Sequence, residues 1–335
     1  MKTARYWQRE GEKLRCLLCP HHCVLAAGKT GLCGVRQHQD GTLVSLNYAQ
    51  SIAAHSDPIE KKPLFHVLPG STSLSVATVG CNMCCDHCQN HDISQYPRQR
   101  GSVAGTPLPP EQVVAAALQA GADTISFTYS EPTIFMEWAQ DIAVLAREAS
   151  LRCVSVTNGY TAAQPIVDLA PNLLAANVDL KSYSEDFYQK ICGAQLGPVL
   201  DTIRLLHQLG VWVEVTTLLI PGLNDEPEQL NGIAAFLASV DPAIPWHLSR
   251  FHPDHNMVDR PPTPVSTIST AREIGAQHGL RFVYTGNVWG DEGENTRCPA
   301  CGETVIERHG FSVRHNHLDH GCCPACGQGL EGRWR

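Results

Sequence analysis

The sequence predicts an α/β chain: a partial (β/α)6 TIM-like barrel with small cysteine-rich metal-binding appendages at both ends. Three observations carry that reading. Between residues 73 and 290, short β-branched runs alternate with helix-like stretches, the pattern of parallel strands joined by crossover helices. That length holds six or so such units, too few for a closed eightfold barrel. The fifteen cysteines fall mostly into three clusters, one heading the alternating region and one towards each terminus. The implied domains are 1–70, a Cys-rich module and connector; 71–292, the partial barrel; and 293–335, a zinc-ribbon-like module.

In chain order, the first cluster is Cys16, Cys19, Cys23 and Cys33. Its loose spacing suits either zinc or an auxiliary iron–sulfur cluster, with His21 and His22 as further possible ligands. The Asp57–His66 segment comes next. It is read either as lying over the open face of the barrel, in a substrate site, or as a docked connector stiffened by Pro58, Pro63 and Pro69. The predicted strands are Leu74–Val79, Thr124–Tyr129, Cys153–Thr157, Ala175–Leu180, Trp212–Leu219, Trp246–Ser249 and Arg281–Tyr284. The predicted helices are Pro110–Ala120, Ile134–Glu148, Ala162–Ala170, Leu196–Leu209, Pro227–Val240 and Ser266–His278. Proline opening a helix costs nothing, because the first N–H has no partner there. Cys153 and Cys192 stand apart from the clusters and read as buried small hydrophobes.

The third cluster is a pair of Cys-Pro-Ala-Cys-Gly knuckles, Cys298/Cys301 and Cys323/Cys326. Each aims two thiolates at one centre, so structural zinc is the main reading and a second iron–sulfur cube the alternative. A short tail with little core needs such a staple. His309, His315, His317 and His320 between the knuckles read as solvated.

Composition narrows the function. With 43% apolar and 17% charged residues the chain is globular, and its net charge of −8 argues against general nucleic-acid or membrane-surface affinity. No stretch is long and apolar enough to span a bilayer, and the N-terminus lacks the apolar core of a signal peptide. A cytoplasmic location is therefore expected, where disulfides are rare and thiols serve metals or redox chemistry.

The most informative run is Cys81-Asn82-Met83-Cys84-Cys85-Asp86-His87-Cys88. It sets three thiols at C-x3-C-x2-C directly after a predicted strand. A 4Fe–4S cube with three protein ligands keeps one iron open, and an open position marks a catalytic metal. In barrels of this type, reactive groups gather at the C-terminal ends of strands. Ser130-Glu131-Pro132, Thr157-Asn158-Gly159, Asp179-Leu180-Lys181 and His252 all follow predicted strands, as that rule requires.

Over residues 70–290 the chain resembles the radical S-adenosylmethionine (SAM) superfamily, and within it relatives of the pyruvate formate-lyase activating enzyme. Cys16 to Cys33, Asp57 to His66 and the terminal knuckles resemble the AmmeMemoRadiSam-system branch. The resemblance implies that Cys81, Cys85 and Cys88 hold three irons of a 4Fe–4S cluster whose fourth iron is chelated by SAM. It places Ser130 and Glu131 at the SAM amino group, Asp179 and Lys181 at its methionyl and ribose end, and His252 near the adenosyl group; Asn158 completes the candidate SAM site. It also implies a low-potential electron donor such as flavodoxin or ferredoxin. The reaction would be reductive cleavage of SAM to a 5′-deoxyadenosyl radical that abstracts hydrogen from a small-molecule or protein substrate. Activation of a partner enzyme as a glycyl radical is one form of that chemistry. Three positions depart from the family: His87 where an aromatic residue is common, Val156 in place of an acidic cation ligand, and Ser130 in place of glycine. Two readings from other classes are a purely structural zinc protein, with Cys84 completing a zinc site at Cys81, Cys85 and Cys88, and a zinc-ribbon nucleic-acid-binding protein.

Overall fold

A computed structural model describes residues 1–288 and 290–334. Its centre is an eight-stranded sheet. The strands are β1 (Ala53–Pro58), β2 (Thr72–Ala77), β3 (Thr124–Phe127), β4 (Arg152–Thr157), β5 (Leu173–Asp179), β6 (Trp212–Leu219), β7 (Trp246–Arg250) and β8 (Val283–Gly286). They lie side by side in chain order. β2 to β8 are all parallel, while β1 pairs antiparallel with β2. Crossover helices return the chain each time: α1 (Pro110–Gln119), α2 (Met136–Glu148), α3 (Ala163–Leu169), α4 (Leu196–Gln208), α5 (Pro227–Val240) and α6 (Val265–Gln277). Six β/α units and a seventh parallel strand are the partial barrel read from the sequence.

Parallel strands covered on both faces read as continuous apolar runs. β3 illustrates this, with Thr124, Ile125, Ser126 and Phe127 all buried. Its two hydroxyls stay satisfied inside the sheet, Ser126 Oγ against Ser73 Oγ at 2.5 Å and Thr124 Oγ1 donating to Ser73 at 2.7 Å. The main core runs from Val76 and Phe127 through Trp138, Val215 and Leu237 to Leu248.

The segment Asp57–His66, which begins in β1, takes the second of its two readings, the docked connector. Asp57–His66 does not lie over the open face. Pro58 pairs with Thr72, the first residue of β2, and Ile59 N–H donates to Ser71 O, so the segment crosses the N-terminal ends of the strands. It is a docked floor. Asn177 Nδ2 donates to Pro63 O at 2.7 Å, and the Phe65 and His66 amides donate to the buried Glu214 carboxylate at 3.0 and 2.8 Å. Glu60, Lys61, Lys62, Pro63 and Phe65 still face the barrel interior from below.

The C-terminal residues form a three-stranded antiparallel sheet of β9 (Thr296–Arg297), β10 (Thr304–His309) and β11 (Ser312–Asn316). A second apolar cluster joins it to the barrel: Phe65, Phe282 and Tyr284 meet Val305, Ile306 and Leu330. Buried Arg308 seals this seam, donating to Phe65 O at 2.7 Å and Thr296 Oγ1 at 2.8 Å. At the other terminus, two small sheets carry the first cysteine cluster: Trp7–Glu10 with Lys13–Cys16 and Val24–Leu25, and Lys2–Thr3 with Thr42–Ser45 and Arg36–Gln39.

Candidate active site and metal centres

Every polar motif expected at the barrel rim lines one cavity of about 1060 Å³. The loop after β2 brings Cys81, Cys85 and Cys88 to it. The loops after β3, β4, β5 and β7 bring Ser130 and Glu131, Asn158, Asp179 and Lys181, and His252. The hairpin between β10 and β11 adds Gly310 and the half-exposed Phe311 at the edge.

The cysteine loop is held by sulfur-directed donors. Met83 N–H and Asn158 Nδ2–H point at Cys81 Sγ, at 3.4 and 3.6 Å, and Ser94 Oγ lies 3.2 Å from Cys88 Sγ. Asn158 is itself locked by Asn82 Oδ1 at 2.9 Å and by Tyr160 N–H at 2.9 Å. Donors of this kind orient ligand sulfurs and tune what they bind.

Sulfur spacing separates the metal centres. Among the described residues, two groups of three or more His, Cys, Asp or Glu ligand atoms lie within 4.8 Å of one another. One is Cys298, Cys301, Cys323 and Cys326, whose Sγ–Sγ distances include 3.6 Å (Cys298–Cys326) and 3.7 Å (Cys301–Cys323). A tetrahedral ion with metal–sulfur bonds of about 2.3 Å needs sulfurs about 3.8 Å apart. This set therefore fits one ion. The intervening histidines are exposed and outside it, as expected.

The Cys81, Cys85 and Cys88 triple does not draw together in that way. Its sulfurs share the cavity wall but do not form a one-ion nest, which suits ligands to separate corners of a cube. The second tight group is Cys85, His87 and Cys192. It revises the reading of Cys192, which is buried as expected but stands against Cys85. A π-helical turn, Tyr188–Cys192, delivers it, and Gly193 follows at φ +66° with its open side facing the Cys84 sulfur. Backbone bonds from Cys84 N–H to Cys192 O (3.0 Å) and Asp86 N–H to Ile191 O (3.1 Å) clamp the turn to the cysteine loop. The Cys192 thiol and the Lys181 ammonium favour thiolate at Cys85, whose pKa falls below the ordinary thiol value against the pull of burial. Nothing in the sequence linked residues 85 and 192. The five-residue π turn is a recurrent mark of functional sites, and it leaves no periodicity to read.

The remaining rim residues divide by how far the protein already satisfies them. Glu131 is buried and accepts from Thr133 N–H (2.9 Å), Thr133 Oγ1 (2.7 Å), Thr157 Oγ1 (2.6 Å) and Asn158 N–H (2.8 Å). Three of those bonds fall on Oε1, leaving Oε2 with one. Burial pushes its carboxyl pKa up, and the donors from Thr157, Asn158 and Thr133 pull the other way. Lys181 pairs with Asp179 at 3.0 Å. Burial works against its charge, but Asp179 and the sulfurs of Cys85 and Cys192 lift its pKa well above the ordinary lysine value. By contrast, Ser130 Oγ and His87 Nδ1 are buried without a partner, and both residues face the cavity. Burial lowers the His87 pKa to about 3, with Lys181 adding to the fall, so its ring is neutral. Tyr129, just before Ser130, holds φ +64°, a left-handed conformation that costs a non-glycine residue about 1–3 kcal/mol. His252 is exposed at the rim. Orphaned polar atoms beside three cavity-lining thiols, a neutral ring and an ammonium–carboxylate pair are a donor set that suits a cube with a zwitterionic nucleotide.

The model of the radical SAM superfamily matches residues 75–231. The chain belongs to that superfamily, which implies a 4Fe–4S cluster and SAM. It is 41% identical over 335 residues to the uncharacterized protein MJ0808 of Methanocaldococcus jannaschii, covering 99% of both chains. Among solved structures, a radical SAM methyltransferase from Sphaerobacter thermophilus superposes with a TM-score of 0.51 at 18% identity, over 66% of this chain and 68% of that one. Streptococcus suis SuiB bound to SAM gives a TM-score of 0.52 at 11% identity, over 68% of this chain and 53% of that one. At those identities the structures speak for the fold alone. No helix among the described residues is long and apolar enough to cross a membrane.

Proposed function

We propose that this chain is an enzyme that binds a 4Fe–4S cube through Cys81, Cys85 and Cys88, and SAM beside it, to start hydrogen abstraction from a second molecule in the barrel. The observation that carries this reading is the convergence of three separately spaced thiols with the unpartnered Ser130 Oγ and His87 Nδ1 on one cavity. When bound and reduced by a low-potential donor such as flavodoxin or ferredoxin, cube and nucleotide together supply a 5′-deoxyadenosyl radical.

The chain's own residues position and shield that chemistry. Ser130 Oγ and the free lone pair of Glu131 Oε2 are placed to accept from the N–H bonds of an amino group. Lys181, kept charged by its surroundings, donates to a carboxylate, and charge-assisted bonds of this sort are the stronger kind. His87, neutral and flat, offers a ring face and one nitrogen to a base. Asp179 and Asn158 fix Lys181 and the Cys81 sulfur, and His252 stands at the exposed rim. The connector closes the floor and excludes water from below.

Ligand pockets usually measure about 300–1,000 Å³. A cavity of about 1060 Å³ therefore supports a second molecule beside SAM, either a small molecule or a protein segment inserted under Phe311. The tight C-terminal set supports a structural zinc ion, and fifteen free thiols suit a reducing compartment such as the cytoplasm. The test is anaerobic incubation with reductant, SAM and deuterated candidate substrates, followed by mass analysis. Formation of 5′-deoxyadenosine supports the reaction class, and deuterium in it identifies the substrate. Intact SAM after full cluster reconstitution overturns the proposal.

A further inference from the structure

Cys16, Cys19, Cys23 and Cys33 gather outside the barrel cavity. All four line one small internal cavity of about 20 Å³. Cys16 ends one strand of the N-terminal hairpin, and its N–H donates to Cys23 O at 2.9 Å across the turn that carries Cys19. Cys33 arrives from a separate turn, closed by Gly34 N–H to Gly31 O at 2.9 Å. The four thiols thus face one centre from two loops. Yet they are absent from the groups whose ligand atoms lie within 4.8 Å of one another, whereas the C-terminal four satisfy that limit together. The N-terminal set is therefore wider than the spacing of about 3.8 Å that a single tetrahedral ion requires. The Cys81, Cys85 and Cys88 triple has the same wide character, so the molecule contains its own comparison for thiols that each reach a different iron.

A second observation points to an occupant. Arg36 is almost wholly buried and lines the same cavity, paired through Nη1 with Glu137 at 3.0 and 3.1 Å. Its Nε–H has no partner. A buried cationic N–H without an acceptor is costly, and a cluster sulfur or thiolate bound in the cavity that Arg36 lines would offer one.

The site also abuts the active-site loop. His21 Nε2 meets Asn82 O at 2.7 Å, next in the chain to Cys81. A side chain at Gly80, which takes φ +109°, would meet Cys33 O and Val35 at 3.0 Å, so the two loops touch backbone to backbone. Arg98 ties them, donating to Leu32 O at 2.7 Å, Met83 O at 2.8 Å and Cys81 O at 3.2 Å.

We propose that Cys16, Cys19, Cys23 and Cys33 hold a second iron–sulfur cluster, placed to exchange single electrons with the cube at Cys81, Cys85 and Cys88. The electron comes from a low-potential one-electron donor, and no bond changes in the transfer. The claim of electron exchange rests on the proposed function; the claim of a second cluster does not.

The experiment separates the two. Anaerobically reconstituted wild-type protein is assayed for iron and zinc, then reduced and examined by electron paramagnetic resonance. About six to eight iron and one zinc per chain support the proposal, while about four iron and two zinc overturn it. Cys85→Ala/Cys88→Ala protein removes the central cube and reports the N-terminal cluster alone. It is expected to keep iron–sulfur absorption, which adding Cys19→Ala abolishes. A colourless double variant with native circular dichroism overturns the second cluster. In reduced wild-type protein, two spins with mutual magnetic broadening support electron-transfer contact, and two sharp independent signals overturn that part.

Discussion

The two terminal cysteine sets share a Cys-x2-Cys start and end in different geometry. At the C-terminus, two knuckles of identical sequence each turn back through glycine, Gly302 at φ +78° and Gly327 at φ +77°, and their sulfurs close to 3.6–3.7 Å. Only glycine adopts that conformation freely, so the repeat Cys-Pro-Ala-Cys-Gly fixes a compact nest. At the N-terminus Cys16 and Cys23 sit across a strand pair and Cys33 on another turn, which keeps the sulfurs apart around a shared space. The thiol chemistry is the same. The loop geometry decides whether one ion or a cluster of irons fits, and the active-site triple falls with the wide set.

That contrast can be broken in four places. The largest effect is expected at Cys85→Ala, which removes a cube ligand: 5′-deoxyadenosine falls below detection and iron drops by about four per chain, with zinc unchanged. Metal analysis and mass spectrometry check both. Asn158→Ala removes the donor on Cys81 Sγ and should slow SAM cleavage about 10–100-fold while the cube's absorption persists. Lys181→Met should weaken SAM binding about tenfold by equilibrium dialysis, the loss of one charge-assisted bond. Because its surroundings raise the Lys181 pKa, the ammonium stays charged as pH rises, and the affinity lost in Lys181→Met should be the same at about pH 6 and pH 9. Cys301→Ser is the mildest. It should release zinc, leave iron intact, lower the melting temperature by about 5–10 °C through the apolar seam at Phe65, Tyr284 and Arg308, and change turnover less than about threefold.

Much of this was readable in the sequence because the parallel strands are buried on both faces. Trp212–Leu219 and Pro227–Val240 fall where their apolar runs predict, and the other barrel elements within about two residues, the usual uncertainty of helix ends. The rim motifs were legible because each follows a strand. β1 was not: Ala-Ala-His-Ser-Asp-Pro has little β propensity and is a strand because the edge of β2 recruits it. The floor position of Asp57–His66 was hidden for the same reason, since the antiparallel return through β1 sends the chain to the lower end of the sheet. The burial of Cys192 was legible, but its placement against Cys85 was not, because a π turn and not a motif brings it there. The sequence placed Glu131 at the rim but not its partners Thr133, Thr157 and Asn158, whose bonds depend on strand ends meeting in space.

The central claim is that Cys81, Cys85 and Cys88 hold iron, with one corner left for SAM. Anomalous diffraction at the iron and zinc edges, from anaerobically grown crystals, tests it most directly. The account predicts iron beside all three sulfurs, with one iron lacking a protein ligand, and zinc at Cys298, Cys301, Cys323 and Cys326. A zinc peak at the barrel mouth, coordinated by Cys81, Cys84, Cys85 and Cys88, would contradict it.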